Sequence, residues 1–226
     1  MRFVDLSHVV VDGMITYPGL PAPQIGTHLA FDESHGNYAE GTEFQIGRIS
    51  MVANTGTYLD TPAHRWRDGH DLAGLALERC AQLPAVVVRA ADSGHALGPE
   101  LFAGLGPGSG AELDLRGTAV LVHTGWDRLW GTEAYLDADH PHLTDAACQT
   151  LVAAGAALVG IDSVNIDDTR GGGRPAHSAL LAAGIPIVEH LRGLDQLPDS
   201  GATFSAVPVA VRGLATFPVR AYATVP

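Results

Sequence analysis

Four short apolar segments rich in β-forming residues recur along the chain and limit the folds that it can adopt. They lie at residues 85–90, 118–123, 157–161 and 186–189. Between them are segments with helical character: residues 144–155, which begin at the N-cap candidate Thr144, and residues 177–183, which end before Gly184 and Pro186. Short apolar strands that alternate with helices favour a mixed α/β fold.

Two glycine-rich segments, residues 105–112 and 168–175, interrupt this pattern. We predict that both are loops within one domain, because the apolar segments on either side are too small to fold alone. Residues 216–225 are predicted to form a single closing strand, since they are rich in β-formers. One domain is therefore expected over residues 1–226.

Charge and cysteine content exclude several classes of partner. The 25 acidic residues outnumber the 13 Lys and Arg residues, which are scattered and leave a formal net charge of −12. This balance argues against a nucleic acid or an anionic membrane as partner and favours a small molecule. Cys80 and Cys148 lack metal-ligand spacing and are predicted to be buried, reduced thiols. With neither a signal-peptide pattern nor a long apolar run, we expect a soluble, cytoplasmic protein.

Residues 54–64, NTGTYLDTPAH, carry the most informative polar pattern. Because extended backbone sends alternate side chains to the same side, four residues are predicted to share one face. These are Asn54, Gly56, Tyr58 and Asp60. A glycine in this row leaves space where a ligand or a neighbouring backbone can approach closely.

The turn after this row brings a second metal-binding side chain into reach. Thr61 and Pro62 end the strand, and the turn is predicted to return His64 beside Asp60. An oxygen and an imidazole donor together suit a divalent metal. The same spacing also fits a surface turn in which the carboxylate caps a backbone group and the imidazole is solvated.

Residues 177–189, HSALLAAGIPIVE, supply two more candidate ligands, His177 near a helix start and Glu189 at the end of an apolar strand. A buried glutamate usually has a partner, so a metal or another cation would explain Glu189. An exposed strand end is the alternative. Seven other histidines show no ligand spacing and are interpreted as surface or structural residues: His28, His35, His70, His95, His140, His142 and His190.

The chain resembles the cyclase family, which includes bacterial kynurenine formamidases and isatin hydrolases. Residues 54–64 align with the family signature HxGTHxDxPxH. Further matching segments extend over nearly the full length: DLSH at 5–8, YPG at 17–19, HTGW at 123–126 and GID at 160–162, followed by His177 and Glu189. The resemblance implies a compact α/β fold of the swivelling β/β/α kind with a mixed central sheet, usually in a homo-oligomer, here a dimer or tetramer.

The resemblance also implies a zinc or manganese centre, at which this chain departs from the family pattern. Two signature histidines that help to hold a first metal are replaced by Asn54 and Tyr58. The second ligand set is complete: Asp60, His64, His177 and Glu189. Three outcomes follow in order of preference: one metal at the complete set, two metals with Asn54 and Tyr58 as weak oxygen ligands, or no metal.

The function implied is hydrolysis of a small amide, lactam or ester by metal-activated water, as in an arylformamidase acting on C–N bonds other than peptide bonds. His64 or Glu189 would move a proton, and Tyr58 would hydrogen-bond the developing oxyanion. Trp66, Tyr17 and His8 are candidates for substrate binding. The alternatives are a cyclase or dehydratase of a biosynthetic intermediate, and a catalytically silent small-molecule-binding protein.

Overall fold

The computed structural model describes residues 1–105 and 113–226, so the predicted loop at 105–112 lies outside the described residues except for Leu105. The described chain contains thirteen strands and three α-helices. The strands are β1 (Arg2–Asp5), β2 (Gln24–Leu29), β3 (Ile46–Ser50), β4 (Tyr58–Asp60), β5 (Leu83–Arg89), β6 (Ala96–Leu97), β7 (Ala119–His123), β8 (His142–Leu143), β9 (Leu158–Ile161), β10 (Ile187–Glu189), β11 (Ser200–Ser205), β12 (Thr216–Pro218) and β13 (Tyr222–Val225). The helices are α1 (Phe31–Ser34), α2 (Asp145–Ala153) and α3 (Pro175–Ala182).

A mixed sheet forms the centre of the molecule. In the described part of the chain it has nine strands in the order β1-β13-β11-β5-β7-β9-β10-β4-β12. Strands β5, β7, β9 and β10 run parallel to one another, and antiparallel strands flank them on both sides. The predicted mixed α/β fold is therefore confirmed. Among the described residues, no helix is long and apolar enough to cross a membrane.

Alternating side chains of the central strands fill two hydrophobic layers, one on each face of the sheet. Leu121 belongs to one layer, whereas its neighbours Val120 and Val122 belong to the other, which helices α2 and α3 cover with residues such as Leu151 and Leu180. Burying a side chain of this kind contributes about 1.5–3 kcal/mol relative to leaving it exposed. Both cysteines are free and buried, as predicted.

The helices lie close to their predicted positions. In α2, the Thr144 hydroxyl accepts a hydrogen bond from the Ala147 backbone N–H at 3.3 Å, which confirms the predicted N-cap. Helix α3 begins at Pro175, two residues before the predicted start, because proline is favourable in the first turn of a helix, where its missing N–H leaves no intrahelical bond unmade.

Two strand predictions are wrong. Extended backbone was expected from residue 54, but β4 begins only at Tyr58, since Gly56 adopts a left-handed φ of +65° that breaks an extended run. The single closing strand expected at 216–225 is divided into β12 and β13, which lie near opposite edges of the sheet. The segment is divided because its two ends pair with distant and different strands, β12 with β4 and β13 with β1 and β11.

Candidate metal and catalytic site

Strand β4 lies between β10 and β12, and this pairing positions the site. Asp60 is opposite Ile187 on one side and Thr216 on the other, while Tyr58 is opposite Glu189. Leu59 packs in the hydrophobic layer away from helices α2 and α3. Because side chains alternate along a strand, Tyr58 and Asp60 point to the face that carries helix α3.

Asp60, His64 and His177 converge at this face, with ligand atoms that all lie within 4.8 Å of one another. The His64 Nδ1 atom is 3.6 Å from Asp60 Oδ1, and the His177 Nε2 atom is 3.8 Å from Asp60 Oδ2. His64 reaches this position from the short 3₁₀ helix Pro62–His64, which the predicted turn at Thr61 and Pro62 begins. No other such group of three acidic, histidine or cysteine side chains occurs in residues 1–105 and 113–226.

Asp167 orients His177, and sequence reasoning missed it. The carboxylate of Asp167 is fully buried and lies 2.6 Å from His177 Nδ1. It also accepts the backbone N–H groups of Ala176 and His177, at 2.6 and 3.1 Å, and so fixes the first turn of α3. A carboxylate that binds the second nitrogen of an imidazole ligand is a common feature of metal sites. No spacing in the sequence connects these two residues.

Glu189 lies beside the cluster and is held at both oxygens. The Tyr58 hydroxyl donates to Glu189 Oε2 at 2.6 Å, and the Ile166 N–H donates to Oε1 at 2.7 Å. The Oε1 atom is also 3.8 Å from His177 Nε2. Because a carboxylate has about four lone-pair directions, Glu189 retains the capacity to bind a cation. The Tyr58 hydroxyl is already engaged in this bond.

Apart from His64, the residues of the site are buried, and the site is rich in negative charge. Burial raises the pKa of Asp60, but the nearby imidazoles of His177 and His64 outweigh it, so the net pKa is below the ordinary value. Burial raises the pKa of Glu189, and the charge of Asp60 adds to this shift. For His177, burial lowers the pKa, but Asp167, Asp60 and Glu189 together raise it to about 10. These surroundings therefore favour a positive charge at the centre of the cluster formed by Asp60, His64 and His177.

The donor set fits a divalent metal ion. Two ligands of a tetrahedral metal at about 2.1 Å lie about 3.4 Å apart, close to the separations within the cluster. Asp60 Oδ2 is a buried oxygen with no hydrogen-bond partner in the described structure, although the other oxygen of the same carboxylate accepts from the Thr216 hydroxyl. A cation would satisfy this oxygen. Asp60, His64 and His177 thus form a candidate site for a divalent metal.

The remaining predicted residues are distributed around this centre. Asn54 is half-buried. Burial raises the pKa of the Tyr58 hydroxyl, and a hydrogen bond with the Asn54 side chain lowers this pKa in part. Tyr17 is half-buried, and its pKa is raised by burial and also by the charge of Glu189. Trp66 lines a separate open pocket of about 520 Å³ together with Pro62.

A histidine without ligand spacing in the sequence, His190, lies next to this centre. It is fully buried, its ring centroid is 5.1 Å from that of Tyr58, and its Nδ1 atom is 2.8 Å from the Tyr135 hydroxyl. Burial lowers the pKa of His190 to about 3 and the pKa of His8 to about 4. The only available signal was the position of His190 directly after Glu189.

Comparison with known proteins places this geometry in a family. The family model described as "Putative cyclase" matches residues 4–168, which is most of the chain. The chain belongs to the cyclase family. This confirms the resemblance that its sequence motifs indicate.

Named relatives of this cyclase-family chain include two kynurenine formamidases. The protein from Geobacillus thermodenitrificans is 29% identical over 186 residues, which cover 82% of each chain. The protein from Salinibacter ruber is 29% identical over 221 residues, 98% of this chain and 96% of the relative. Among solved structures, isatin hydrolase A from Labrenzia aggregata, bound to benzyl benzoate, aligns with a TM-score of 0.82 and 26% identity over 99% of this chain and 93% of that chain.

Proposed function

We propose that this cyclase-family protein is a metal-dependent hydrolase of a small amide, lactam or ester, similar to kynurenine formamidase. The observation that carries the proposal is the convergence of Asp60, His64 and His177 around an unpartnered buried oxygen. The relatives named kynurenine formamidase and isatin hydrolase support an enzyme that acts on C–N bonds other than peptide bonds.

One divalent ion, zinc or manganese, would be held by Asp60, His64, His177 and Glu189. Two imidazoles and two carboxylates suit either metal. When bound, such an ion supplies a Lewis acid that polarises a carbonyl group and lowers the pKa of water. Asn54 would be at most a weak further ligand, because an amide oxygen is a poorer zinc ligand than imidazole.

Proton transfer would be performed by residues of the same site. Glu189 is buried, and burial raises its pKa, so it can take up a proton more readily than an exposed glutamate. His64, whose side chain is 34% exposed, is the most accessible of the clustered donors and can pass a proton to the leaving group. Tyr58 would act on the reaction through the hydrogen bond that it donates to Glu189.

Substrate contacts are proposed for Tyr17, His8 and Trp66. The pKa of Tyr17 is raised by burial and also by the charge of Glu189, as expected for a residue near the site. The imidazole of His8 stacks on Trp130 at a centroid distance of 3.8 Å. The guanidinium of Arg65 lies over the ring of Trp66, 4.5 Å from its centroid. Trp66 would contact only a substrate that extends into the open pocket beside it.

We further propose a cytoplasmic homo-oligomer, a dimer or tetramer, with no nucleic-acid or membrane partner. The two-stranded sheet of β2 and β3 supports self-association, because Ile25 and Ile49 on it are 47% and 50% exposed and the nearby Phe44 is 51% exposed. Light scattering of the purified protein measures this directly.

The variant His177→Ala tests the hydrolase function. We expect the metal-loaded wild-type protein to hydrolyse at least one of N-formylkynurenine, isatin, simple lactones and aryl esters, and the variant to lose both bound metal and hydrolysis. The matched control is His28→Ala, which removes an exposed histidine of strand β2. Undiminished metal content and turnover in His177→Ala would show that the site is wrongly assigned.

A further inference from the structure

Three buried side-chain nitrogen or oxygen atoms lack a hydrogen-bond partner in the described part of the chain: Asp60 Oδ2, His8 Nε2 and His190 Nε2. Such atoms are rare in folded proteins, because burying a polar group without a partner is unfavourable. The candidate metal accounts for Asp60 Oδ2. The two imidazole nitrogens do not belong to the metal cluster and mark a second polar feature beside it.

The two imidazoles pack against the same indole ring, that of Trp130. The ring of His8 stacks on Trp130 with centroids 3.8 Å apart, and Trp130 meets His190 edge to face at 5.6 Å. The Thr57 hydroxyl accepts from the His8 backbone N–H at 3.0 Å and donates to the His190 carbonyl oxygen at 2.6 Å. One side chain therefore ties both backbones together.

Tyr135 fixes the hydrogen-bonding character of His190. Within the described residues, the only partner of the Tyr135 hydroxyl is His190 Nδ1, at 2.8 Å. A hydroxyl that donates to Nδ1 leaves the ring proton on Nε2. The opposite arrangement would leave the buried hydroxyl hydrogen without an acceptor. His190 Nε2 is therefore an N–H donor without an acceptor.

The backbone of His190 is held in an unfavourable conformation. Its φ is +56°, and among the described non-glycine residues only Gln82 shares a positive value. Residues with a β-carbon rarely adopt the left-handed region, and such strain concentrates at functional sites. The imidazole is thus placed where a glycine would fit the backbone more easily.

This donor lies beside the candidate metal site. The His190 ring is 5.1 Å from the Tyr58 ring, whose hydroxyl is 2.6 Å from Glu189. His190 Nε2 is closed to solvent in the free protein. The His8 imidazole makes no hydrogen bond within the described structure and is held by stacking alone, so it can turn aside to admit a ligand atom.

We propose that His190 is a specificity-determining residue whose Nε2–H donates a hydrogen bond to a second acceptor oxygen of the substrate, next to the carbonyl group that is hydrolysed. This inference depends on the proposed hydrolase function for the identity of the ligand as a substrate. The donor borders the metal site through Tyr58, whose ring lies 5.1 Å from that of His190 and whose hydroxyl is 2.6 Å from Glu189 Oε2. Tyr135 is the positioning residue of this donor.

Two formanilides that differ only in the position of one acetyl group test the proposal. In the wild-type protein, kcat/KM for the 2-acetyl isomer should exceed that for the 4-acetyl isomer by about tenfold, because a site built to bond an oxygen discriminates against a ligand that cannot present one there. His190→Leu should abolish this preference. His190→Asn should retain part of it, since asparagine keeps an N–H donor and tolerates a left-handed φ.

A binding measurement separates this inference from the hydrolase function. By calorimetry on the metal-loaded protein, 2-aminoacetophenone should bind about tenfold more tightly than 4-aminoacetophenone, and His190→Leu should equalise the two. Should neither formanilide be hydrolysed while this binding preference persists, the proposed function fails and the role of His190 stands.

A second variant protects the test against misfolding of His190→Leu. Tyr135→Phe keeps the imidazole but frees its tautomer, so the preference for the 2-substituted isomer should fall several-fold. Equal affinity of the wild-type protein for the two aminoacetophenones, or an unchanged preference in both His190→Leu and Tyr135→Phe, would overturn the proposal.

Discussion

The two halves of the site use polar side chains in opposite ways. In the half formed by Asp60, His64 and His177, three ligand atoms converge and one buried oxygen is left without a partner. In the half formed by Asn54 and Tyr58, the phenol donates to Glu189, and neither residue has a buried, unpartnered polar atom in the described structure. A ligand site is thus revealed by the polar atoms that the protein itself leaves unsatisfied.

Of the variants that distinguish the two halves, Asp60→Asn is expected to have the largest effect on metal binding and activity. The amide keeps the size of the side chain but removes the charge that faces both imidazoles. We expect loss of the bound metal and a decrease in kcat/KM of about a thousandfold, because Lewis-acid stabilisation of this kind contributes several kcal/mol. Metal analysis and steady-state kinetics measure the two effects.

The control for this variant is Asp68→Asn, which neutralises an exposed carboxylate on the same segment. It should keep its metal and its rate. An Asp60→Asn protein that folds, binds one metal and turns over normally would remove the distinction between the two halves.

A smaller effect is expected from Asp167→Asn, which acts on the metal half through His177. The two helix N–H groups bond different oxygens of Asp167, so an amide can still accept from one of them, but it no longer presents a carboxylate to the imidazole at 2.6 Å. Changes of this kind lower metal affinity or activity by about 10–100-fold. Competition with a chelator measures the affinity, and Asp168→Asn, next to it but paired with Arg170, is the matched control. Identical affinities in the two variants would contradict the assigned role of Asp167.

The smallest effect is expected in the other half, from Tyr58→Phe. The variant leaves Glu189 Oε2 without its donor, so the free energy of unfolding should fall by about 1–3 kcal/mol. We expect kcat/KM to decrease by less than about tenfold, with metal content unchanged. Urea denaturation and metal analysis provide the readouts, and Tyr222→Phe serves as control because the Tyr222 hydroxyl has no hydrogen bond in the described structure. Loss of metal in Tyr58→Phe would make this tyrosine part of the metal half.

Sequence patterns could predict the parts of this fold that depend on local chemistry. The apolar segments that became β5, β7, β9 and β10, and the N-cap at Thr144, follow from periodicity and capping. The division of the closing segment into β12 and β13 depends instead on which distant strands pair, which no local pattern encodes.

The candidate site shows the same limit. Asp60 and His64 are close in sequence, and a strand followed by a turn predicts that they meet. The roles of Asp167 and His190 arise from contacts made only in the folded chain, with the first turn of α3 and with Tyr135. The family resemblance points to His177 and Glu189 but indicates neither the residue that orients one nor the donors that hold the other.

The central claim is that one metal occupies the half of the site that retains its ligands. An anomalous-difference map from crystals grown with zinc or manganese tests it most directly, because it both counts the ions and locates them. We predict a single peak per chain among Asp60, His64 and His177, within bonding distance of Glu189. A peak between Asn54 and Tyr58, or the absence of any peak at saturating metal, would contradict the claim.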